Sequence, residues 1–196
     1  MAKTTISRVG YGQVEPNHLS AQRTGQIYAQ LPADDAITLL ENGQFVKYDY
    51  ENEKVDFTGE GEWMMVFNEV KLYDDWRESY KDFAMEKDNY TPGTYKNTSN
   101  QQVPVEHGVS TKGQMVPRVI KTNVGDIYTT NCLGAAGTKG AEYAGIDVEV
   151  GDTLTPSNTG YLNVTNDAAN ADLVFTVVKV YTMPDGQPGV KLQRTA

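Results

Sequence analysis

A long apolar run near the end of the chain sets the fold class. Residues 173–181 read LVFTVVKVY, a segment rich in β-branched side chains and apolar on both faces. The turn-forming sequence Met183-Pro184-Asp185-Gly186-Gln187 follows it. Residues 189–193 (GVKLQ) then return as a partner strand. The pattern predicts a C-terminal antiparallel hairpin in a mainly β protein.

The same part of the chain repeats a turn signal. The pattern VGDxxT occurs at residues 124–129 and again at residues 150–155. Glycine and aspartate together form tight turns that feed strands, and two copies are too few for a solenoid. We therefore expect equivalent corners of a small antiparallel β-barrel or sandwich spanning residues 115–196.

Two strand signals open the middle of the chain, which we predict to be an acidic, aromatic-rich α+β region over residues 32–95. Asn42-Gly43 lies between the strand-like runs 36–40 and 45–50, and this dipeptide favours the type I′ turn of a hairpin. Residues 62–73 (EWMMVFNEVKLY) begin with apolar side chains on both faces. They predict a central strand that emerges from the core beyond residue 68.

The hydrophobic period then changes to that of a helix. Asp75 and Glu78 have the spacing of a capping box, in which two side chains satisfy the first N–H groups of a helix. The sequence therefore predicts one short α-helix that ends near residue 88. Its apolar stripe comprises Tyr73, Trp76, Tyr80 and Phe83.

The first thirty-one residues differ from everything that follows. They carry three bases against one acid, contain three glycines and a proline, and show no apolar period suited to a helix or a strand pair. We predict an extended N-terminal arm (1–31) that contributes to assembly rather than to the fold of its own subunit. Its expected partner-binding anchors are Tyr11, Ile27 and Tyr28. Residues 96–114 also lack periodicity and predict a connection.

Charge and hydropathy restrict the partners. The formal net charge is −9, and residues 32–90 hold sixteen acids against six bases. Such a block would repel phosphates, so we expect no nucleic-acid partner. No apolar run approaches the ~18 residues of a membrane span, and no secretory signal follows Met1. These features predict a soluble protein folded in a reducing compartment.

Nucleophile and metal motifs are sparse. Cys132 is the only cysteine, so an intrachain disulfide is impossible. His18 and His107 lack a second histidine at metal-ligand spacing. A Cys132–His107 nucleophile pair is one interpretation, but we prefer a small buried hydrophobe for Cys132. The glycine-rich stretch 134–140 lacks the Gly-Lys-Ser/Thr order of a phosphate loop.

Acidic and amide side chains offer two further candidates. Glu60 and Glu62 have the residue types of a glycosidase pair, although alternating acids at the start of a strand are more typical of a solvated face. Asn166, Asp167 and their neighbours Asn170 and Asp172 lack the glycine of a calcium loop. We therefore expect no enzymatic activity, no cofactor and no metal.

Residues 40–83 (LENGQFVKYDYENEKVDFTGEGEWMMVFNEVKLYDDWRESYKDF) resemble small virion proteins encoded near the major capsid gene of tailed bacteriophages. The resemblance covers about residues 36–90. It lies in the Glu-Asn-Gly turn, the tyrosine-rich strand, and Gly-Glu-Trp-Met before an acidic aromatic helix. The β-rich remainder is similar in style to head decoration and tail proteins. This resemblance implies a non-enzymatic subunit, present in many copies on a capsid lattice.

These observations lead to one functional expectation and one rival. The first is a capsid-associated virion protein of decoration or cement type, assembled in the host cytoplasm, with the major capsid protein or other virion subunits as partners. We expect it to form a homo-oligomer or to be present in many copies on the lattice. A tail or connector role belongs to the same class. The rival is a β-sandwich binding module for carbohydrate, in which Trp63 or exposed tyrosines serve as stacking platforms.

Overall fold

The chain is mainly β. The computed structural model describes residues 2–28, 30–68, 84–87, 115–137 and 142–196, and the backbone alone for 95–96 and 102–103. About 45% of the chain is in strands and 6% is helical, and the described residues contain one α-helix and several antiparallel sheets. The expected mainly β class is therefore confirmed.

Short strands separated by tight turns make up the described chain. In chain order they are β1 Thr4–Val9, β2 Val14–His18, β3 Ile27–Tyr28, β4 Leu39–Glu41, β5 Phe45–Asp49, β6 Lys54–Asp56, β7 Met64–Val66, β8 Ala84–Glu86, β9 Tyr95–Lys96, β10 Gln102–Val103, β11 Val119–Ile120, β12 Ile127–Thr130, β13 Glu142–Val148, β14 Thr153–Pro156, β15 Leu162–Val164, β16 Phe175–Thr182 and β17 Pro188–Arg194. Helix α1 spans Ser20–Thr24, and a 3₁₀ helix spans Ala168–Asn170.

Two larger sheets organise these strands. One has six strands in the order β15-β14-β16-β17-β12-β2, and the other has five in the order β3-β11-β7-β5-β6. The pairs β1-β13, β4-β8 and β9-β10 form smaller two-stranded sheets. Pairing between these strands is antiparallel throughout the described residues.

Each face of the five-stranded sheet packs against a hydrophobic core. In β7, Met65 belongs to the core shared with the six-stranded sheet, whereas Met64 and Val66 belong to a second core on the opposite face. Successive side chains of a strand point to opposite faces, so a strand buried on both sides must be apolar at every position. The expected central strand is confirmed at β7.

The C-terminal hairpin and the repeated corners are both confirmed. β16 pairs with β17 across the turn at Gly186, and β14 and β12 flank this hairpin on either side. The two Val-Gly-Asp corners lead into these flanking strands. In each corner the glycine has a positive φ and the aspartate carboxylate accepts a hydrogen bond from the N–H three residues earlier, at 2.9 Å. Local turn chemistry therefore specifies equivalent positions in the sheet.

The predicted Asn-Gly hairpin is wrong. A tight turn does occur there, closed by the Gln44 N–H donating to the Glu41 carbonyl oxygen at 3.1 Å. However, β4 pairs with β8, whereas β5 pairs with β6 and β7. The turn also bonds to β7, because the Gly43 N–H donates to the Val66 carbonyl oxygen at 2.9 Å. The turn therefore passes the chain from one sheet to another.

The expectation that the extended arm 1–31 does not contribute to the fold of its own subunit is also wrong. Within the first thirty-one residues, β1 pairs with β13, β2 with β12 and β3 with β11. Ile6, Leu19 and Ala21 are buried in the core between the two large sheets. These strands are short and their partners lie about a hundred residues away, so no local period reveals them.

The sheets do not follow the boundaries expected at residues 31 and 114. The five-stranded sheet combines strands from the segments 1–31, 32–95 and 115–196. The helix expected to end near residue 88 is wrong in its last turn, because residues 84–86 form strand β8, which pairs with β4. The rest of that helix, over residues 74–83, lies outside the described residues, as does most of the connection 96–114. No helix within the described residues is long and apolar enough to cross a membrane.

A substitution in β13 tests whether the pairing of residues 4–9 with this strand stabilises the fold. The β1–β13 register shifts between Ile6 and Arg8, opposite Gly145, whose φ is +79°. A Cβ at position 145 would lie 1.7 Å from the Ile6 carbonyl oxygen, whereas Gly151, with φ +98°, has open space around it. We expect Gly151→Ala to cost about 1–2 kcal/mol from backbone strain alone, and Gly145→Ala to cost clearly more.

Thermal denaturation and limited trypsin digestion check this prediction together. Arg8 is 1% exposed, so trypsin should cleave after it only where β1 has separated from β13. We expect faster cleavage there in Gly145→Ala than in Gly151→Ala. Equal stability losses with Arg8 still protected in both variants would contradict the role assigned to β1.

Candidate functional site

A cleft lined by tyrosines opens beside the five-stranded sheet. We call it the tyrosine cleft, and it has a volume of about 380 Å³. Tyr48, at the end of β5, and Tyr50, in the following turn, meet edge to face with ring centroids 5.6 Å apart and planes at 84°. Tyr48 is buried, whereas Tyr50 is 71% exposed. The cleft is lined by Tyr28, Gln30, Tyr48, Tyr50, Glu62 and Lys121, with Met64 also in its wall.

The tyrosine cleft contains one charge of each sign and a buried phenol. Lys121 Nζ lies 2.7 Å from a Glu62 carboxylate oxygen, and both side chains are partly exposed. Burial, with smaller contributions from the nearby Tyr50 and Tyr28 phenols, raises the pKa of Tyr48 to about 12. The Tyr48 hydroxyl therefore stays protonated at neutral pH, and it has no well-aligned hydrogen bond among the described residues, although the Gln30 backbone lies beside it.

An acidic cleft of about 390 Å³ adjoins the tyrosine cleft on the other side of Tyr50. Asp49 and Asp56 line it, but their carboxylates accept hydrogen bonds from Asn52, Thr58 and Gly59 in the surrounding turns. Hydrogen bonds from Asn52 lower the pKa of Asp49. Glu51 and Glu60 also line this acidic cleft; within the described chain, their carboxylates form no ion pair. The acidic cleft is thus negative on the side facing solvent.

A buried carboxylate lies elsewhere, at the end of β4. The Glu41 carboxylate accepts hydrogen bonds from the Gly12 N–H at 2.8 Å, from the Gly137 N–H at 2.9 Å and from the Tyr161 hydroxyl. Its counter-ion is the Arg8 guanidinium at 3.4 Å, and both side chains are fully buried. Burial, together with the nearby Glu41 carboxylate, raises the pKa of Tyr161 far above its ordinary value, so the phenol remains a donor.

Arg8 is held by backbone carbonyl groups as well as by its ion pair. Its guanidinium donates to the carbonyl oxygens of Asn131 and Leu133 at 3.0 Å and to that of Ala135 at 2.5 Å. The guanidinium carbon also lies 4.7 Å from the centre of the Tyr143 ring. A buried charge is tolerated only when it is paired and hydrogen-bonded. Arg8 and Glu41 therefore connect, by an ion pair and hydrogen bonds, segments that are distant in sequence.

The predicted partner-binding residues all pack within their own chain. Tyr11 is 4% exposed and its hydroxyl donates to the Glu86 carboxylate. Ile27 packs against the core between the large sheets, and Tyr28 packs against the second core. They therefore do not project from the molecule as anchors on a free arm. A contact between a partner and the exposed parts of Ile27 or Tyr28 stays a prediction.

The other candidate site residues do not come together in a shared site among the described residues. Glu60 lies in the acidic cleft and Glu62 in the tyrosine cleft, so they do not face each other as a glycosidase pair. Trp63 packs against the core, and the Lys47 amine lies 4.9 Å from its ring centre. His107 lies outside the described residues. Within the described residues, no group of three or more His, Cys, Asp or Glu side chains could hold a metal ion.

The polar side chains of residues 166–172 bond mainly to neighbouring residues of the protein. Asn170 Nδ2 donates to the Asp167 carboxylate at 2.8 Å, and the Asp167 N–H donates to the Thr165 hydroxyl. Asp172 instead pairs with Lys47 at 3.4 Å. These contacts agree with the interpretation of residues 166–172 as a surface loop. Residues 138–140 of the glycine-rich stretch lie outside the described part of the chain.

Sequence reasoning missed the buried ion pair and the tyrosine cleft. A weak signal for Arg8 existed, because Ile6 and Arg8 are two residues apart and therefore share a strand face. Glu41 likewise directly follows the apolar run 36–40. Neither signal identifies a partner. Comparison of the chain with known protein families, curated proteins and solved structures finds no match.

Removing Glu41 should be far more damaging than removing an exposed acid. Glu41→Ala leaves the Arg8 charge buried without a counter-ion, and breaking a buried pair typically costs about 3–5 kcal/mol. Asp172→Ala breaks the exposed pair with Lys47, for which we expect a loss below about 1 kcal/mol. Urea denaturation of the two variants gives the comparison. Similar losses would show that the buried pair does not stabilise the fold.

Cys132 should be unreactive in the folded protein. It is fully buried, and burial together with the nearby Glu41 carboxylate raises the pKa of its thiol well above the ordinary value. The reactive species is the thiolate, so we expect negligible reaction with a disulfide reagent such as DTNB in native buffer and one thiol per chain in denaturant. Rapid labelling of the native protein would restore the interpretation of Cys132 as a nucleophile.

Proposed function

We propose that the chain is a non-enzymatic structural protein of a tailed-bacteriophage virion. In this proposal it binds the capsid lattice in many copies as a decoration, cement or other head-associated subunit, after assembly in the host cytoplasm. Its partners are the major capsid protein or other virion subunits, and neither nucleic acid nor a membrane is involved. The architecture that we propose for it is a β-sandwich, because the two large sheets share one core.

The observation that carries this proposal is the resemblance over residues 36–90. Several of its features have structural importance in this fold. The Glu-Asn-Gly turn delivers Glu41 to the buried ion pair, the tyrosine-rich strand is β5, and Gly-Glu-Trp-Met leads into the doubly buried β7. The resemblance thus involves residues on which the fold depends, beyond surface composition.

The arrangement of the chain also suits a subunit that must persist on a particle. The carbonyl oxygen of Ala196 accepts a hydrogen bond from the Val174 N–H at 3.0 Å, and residues 4–9 are paired with β13. Bonding of these two segments to the sheets slows local opening there, and slow opening favours a long lifetime outside the cell.

The tyrosine cleft favours one second candidate, the carbohydrate-binding module. An exposed, positioned aromatic ring beside polar side chains is the feature that such a module requires. This candidate is compatible with a structural role, since a virion subunit can also carry a ligand site. Trp63 is the weaker platform, because the core and Lys47 cover it.

The proposal is tested on particles of the phage whose genome encodes the chain. Mass spectrometry of purified virions should detect the protein at a fixed ratio to the major capsid protein, and cryo-EM should place its density regularly on the head. Density on the tail or connector would support a virion structural protein but would move its location from the head to that part of the particle. Absence from purified, infectious particles would overturn the proposal.

A further inference from the structure

We propose that the tyrosine cleft is a binding site for an uncharged saccharide. The inference rests on the second candidate function, the carbohydrate-binding module, and names the class of its ligand; it does not depend on a structural role on the virion. It is drawn from three properties of the cleft: a positioned aromatic platform, balanced charge, and a buried hydroxyl without a partner.

Tyr50 supplies the platform. Its edge-to-face contact with Tyr48 fixes the position of the ring, yet 71% of its surface remains exposed. Tyr48 in turn is held in the second core. A rigid aromatic ring provides contact area at low cost in conformational entropy, and the C–H groups on one face of a sugar ring offer a matching apolar surface.

The charges select an uncharged, hydroxyl-rich ligand. Glu62 and Lys121 lie in the same wall, 2.7 Å apart, so a cation would approach the Lys121 ammonium and an anion would approach the Glu62 carboxylate. Sugar hydroxyls both donate and accept. Neighbouring hydroxyls can therefore donate to Glu62 and accept from Lys121 without disrupting the ion pair. The cleft thus offers both hydrogen-bond roles within the span of one ring.

The acidic cleft strengthens the exclusion of anions. Glu51 and Glu60 adjoin the tyrosine cleft across Tyr50, and no cation in the described chain neutralises them. A carboxylated or phosphorylated glycan extending past Tyr50 would meet these like charges, which costs affinity. A neutral chain would meet only hydrogen-bond acceptors there.

The Tyr48 hydroxyl provides an independent indication of a ligand. It is buried without a hydrogen bond among the described residues, although the Gln30 backbone and the Tyr28 ring lie beside it. Buried polar groups are normally satisfied, and an unmade hydrogen bond is costly. The oxygen is enclosed when the cleft is empty, so a saccharide hydroxyl would bond to it by displacing the neighbouring Gln30 backbone. The volume of about 380 Å³ lies at the small end of ligand pockets and suits one or two sugar rings.

Binding is tested on the full-length protein with three neutral probes: maltohexaose, cellohexaose and the hexamer of N-acetylglucosamine. Saturation-transfer NMR and isothermal calorimetry should detect at least one of them with a Kd of about 1 mM or tighter. Polygalacturonate oligomers serve as the anionic control and a hexa-arginine peptide as the cationic one. Neither control should bind at this cleft.

Three variants locate the site. Tyr50→Ala should weaken binding at least about tenfold, whereas Tyr181→Ala, which removes a partly exposed tyrosine on β16, should leave it unchanged. Tyr48→Phe removes only the hydroxyl, so we expect an unchanged or higher melting temperature together with affinity weaker by about threefold to tenfold. This variant separates loss of a ligand contact from loss of folding.

Three results would overturn the inference. The first is the failure of all three neutral hexamers to bind at millimolar concentration. The second is binding that survives Tyr50→Ala. The third is preferential binding of the anionic or the cationic control at the cleft. Because these measurements use the isolated protein, they are independent of whether the chain is found on virions.

Discussion

The buried pair of Arg8 and Glu41 connects parts of the chain that are far apart in sequence. Arg8 brings β1 to the carbonyl groups of residues 131–135, and Glu41 brings the end of β4 to Gly12, Gly137 and Tyr161. Each charge is costly alone, because a buried ion without its partner loses hydration with no compensation. Apolar residues tolerate shifted packing, whereas a buried charge needs its partner, so we expect the pair to favour this one arrangement of the segments.

Elements whose causes are local were predictable from the sequence. The Val-Gly-Asp corners and the Pro-Asp-Gly turn contain, within a few residues, the backbone freedom and side-chain acceptors that they need. β7 was predictable because burial on both faces demands an unbroken apolar run. The failures have non-local causes. Residues 4–9 find their partner near residue 145, and Asn42-Gly43 forms its turn while the strands on either side join different sheets.

The candidate site was less predictable than the fold. Exposed tyrosines were anticipated as stacking platforms, but Tyr28, Tyr48 and Lys121 meet only because β3, β5 and β11 belong to one sheet. Nearness in sequence does not bring side chains to one site either. Only Gly61 separates Glu60 from Glu62, yet the two acids line different clefts. Sequence indicates which side chains are available, and the topology decides which of them face one ligand.

The pairing of β1 with β13 has a consequence for how the protein is made. Residues 4–9 leave the ribosome long before their partner strand, which becomes available only after residue 148 has emerged. Ile6 and Arg8, both buried in the finished molecule, must remain exposed through most of translation. Contacts of such large sequence separation form slowly. A segment synthesised early is thus among the last to be placed, and a bulky group close before residue 4 would hinder that late step.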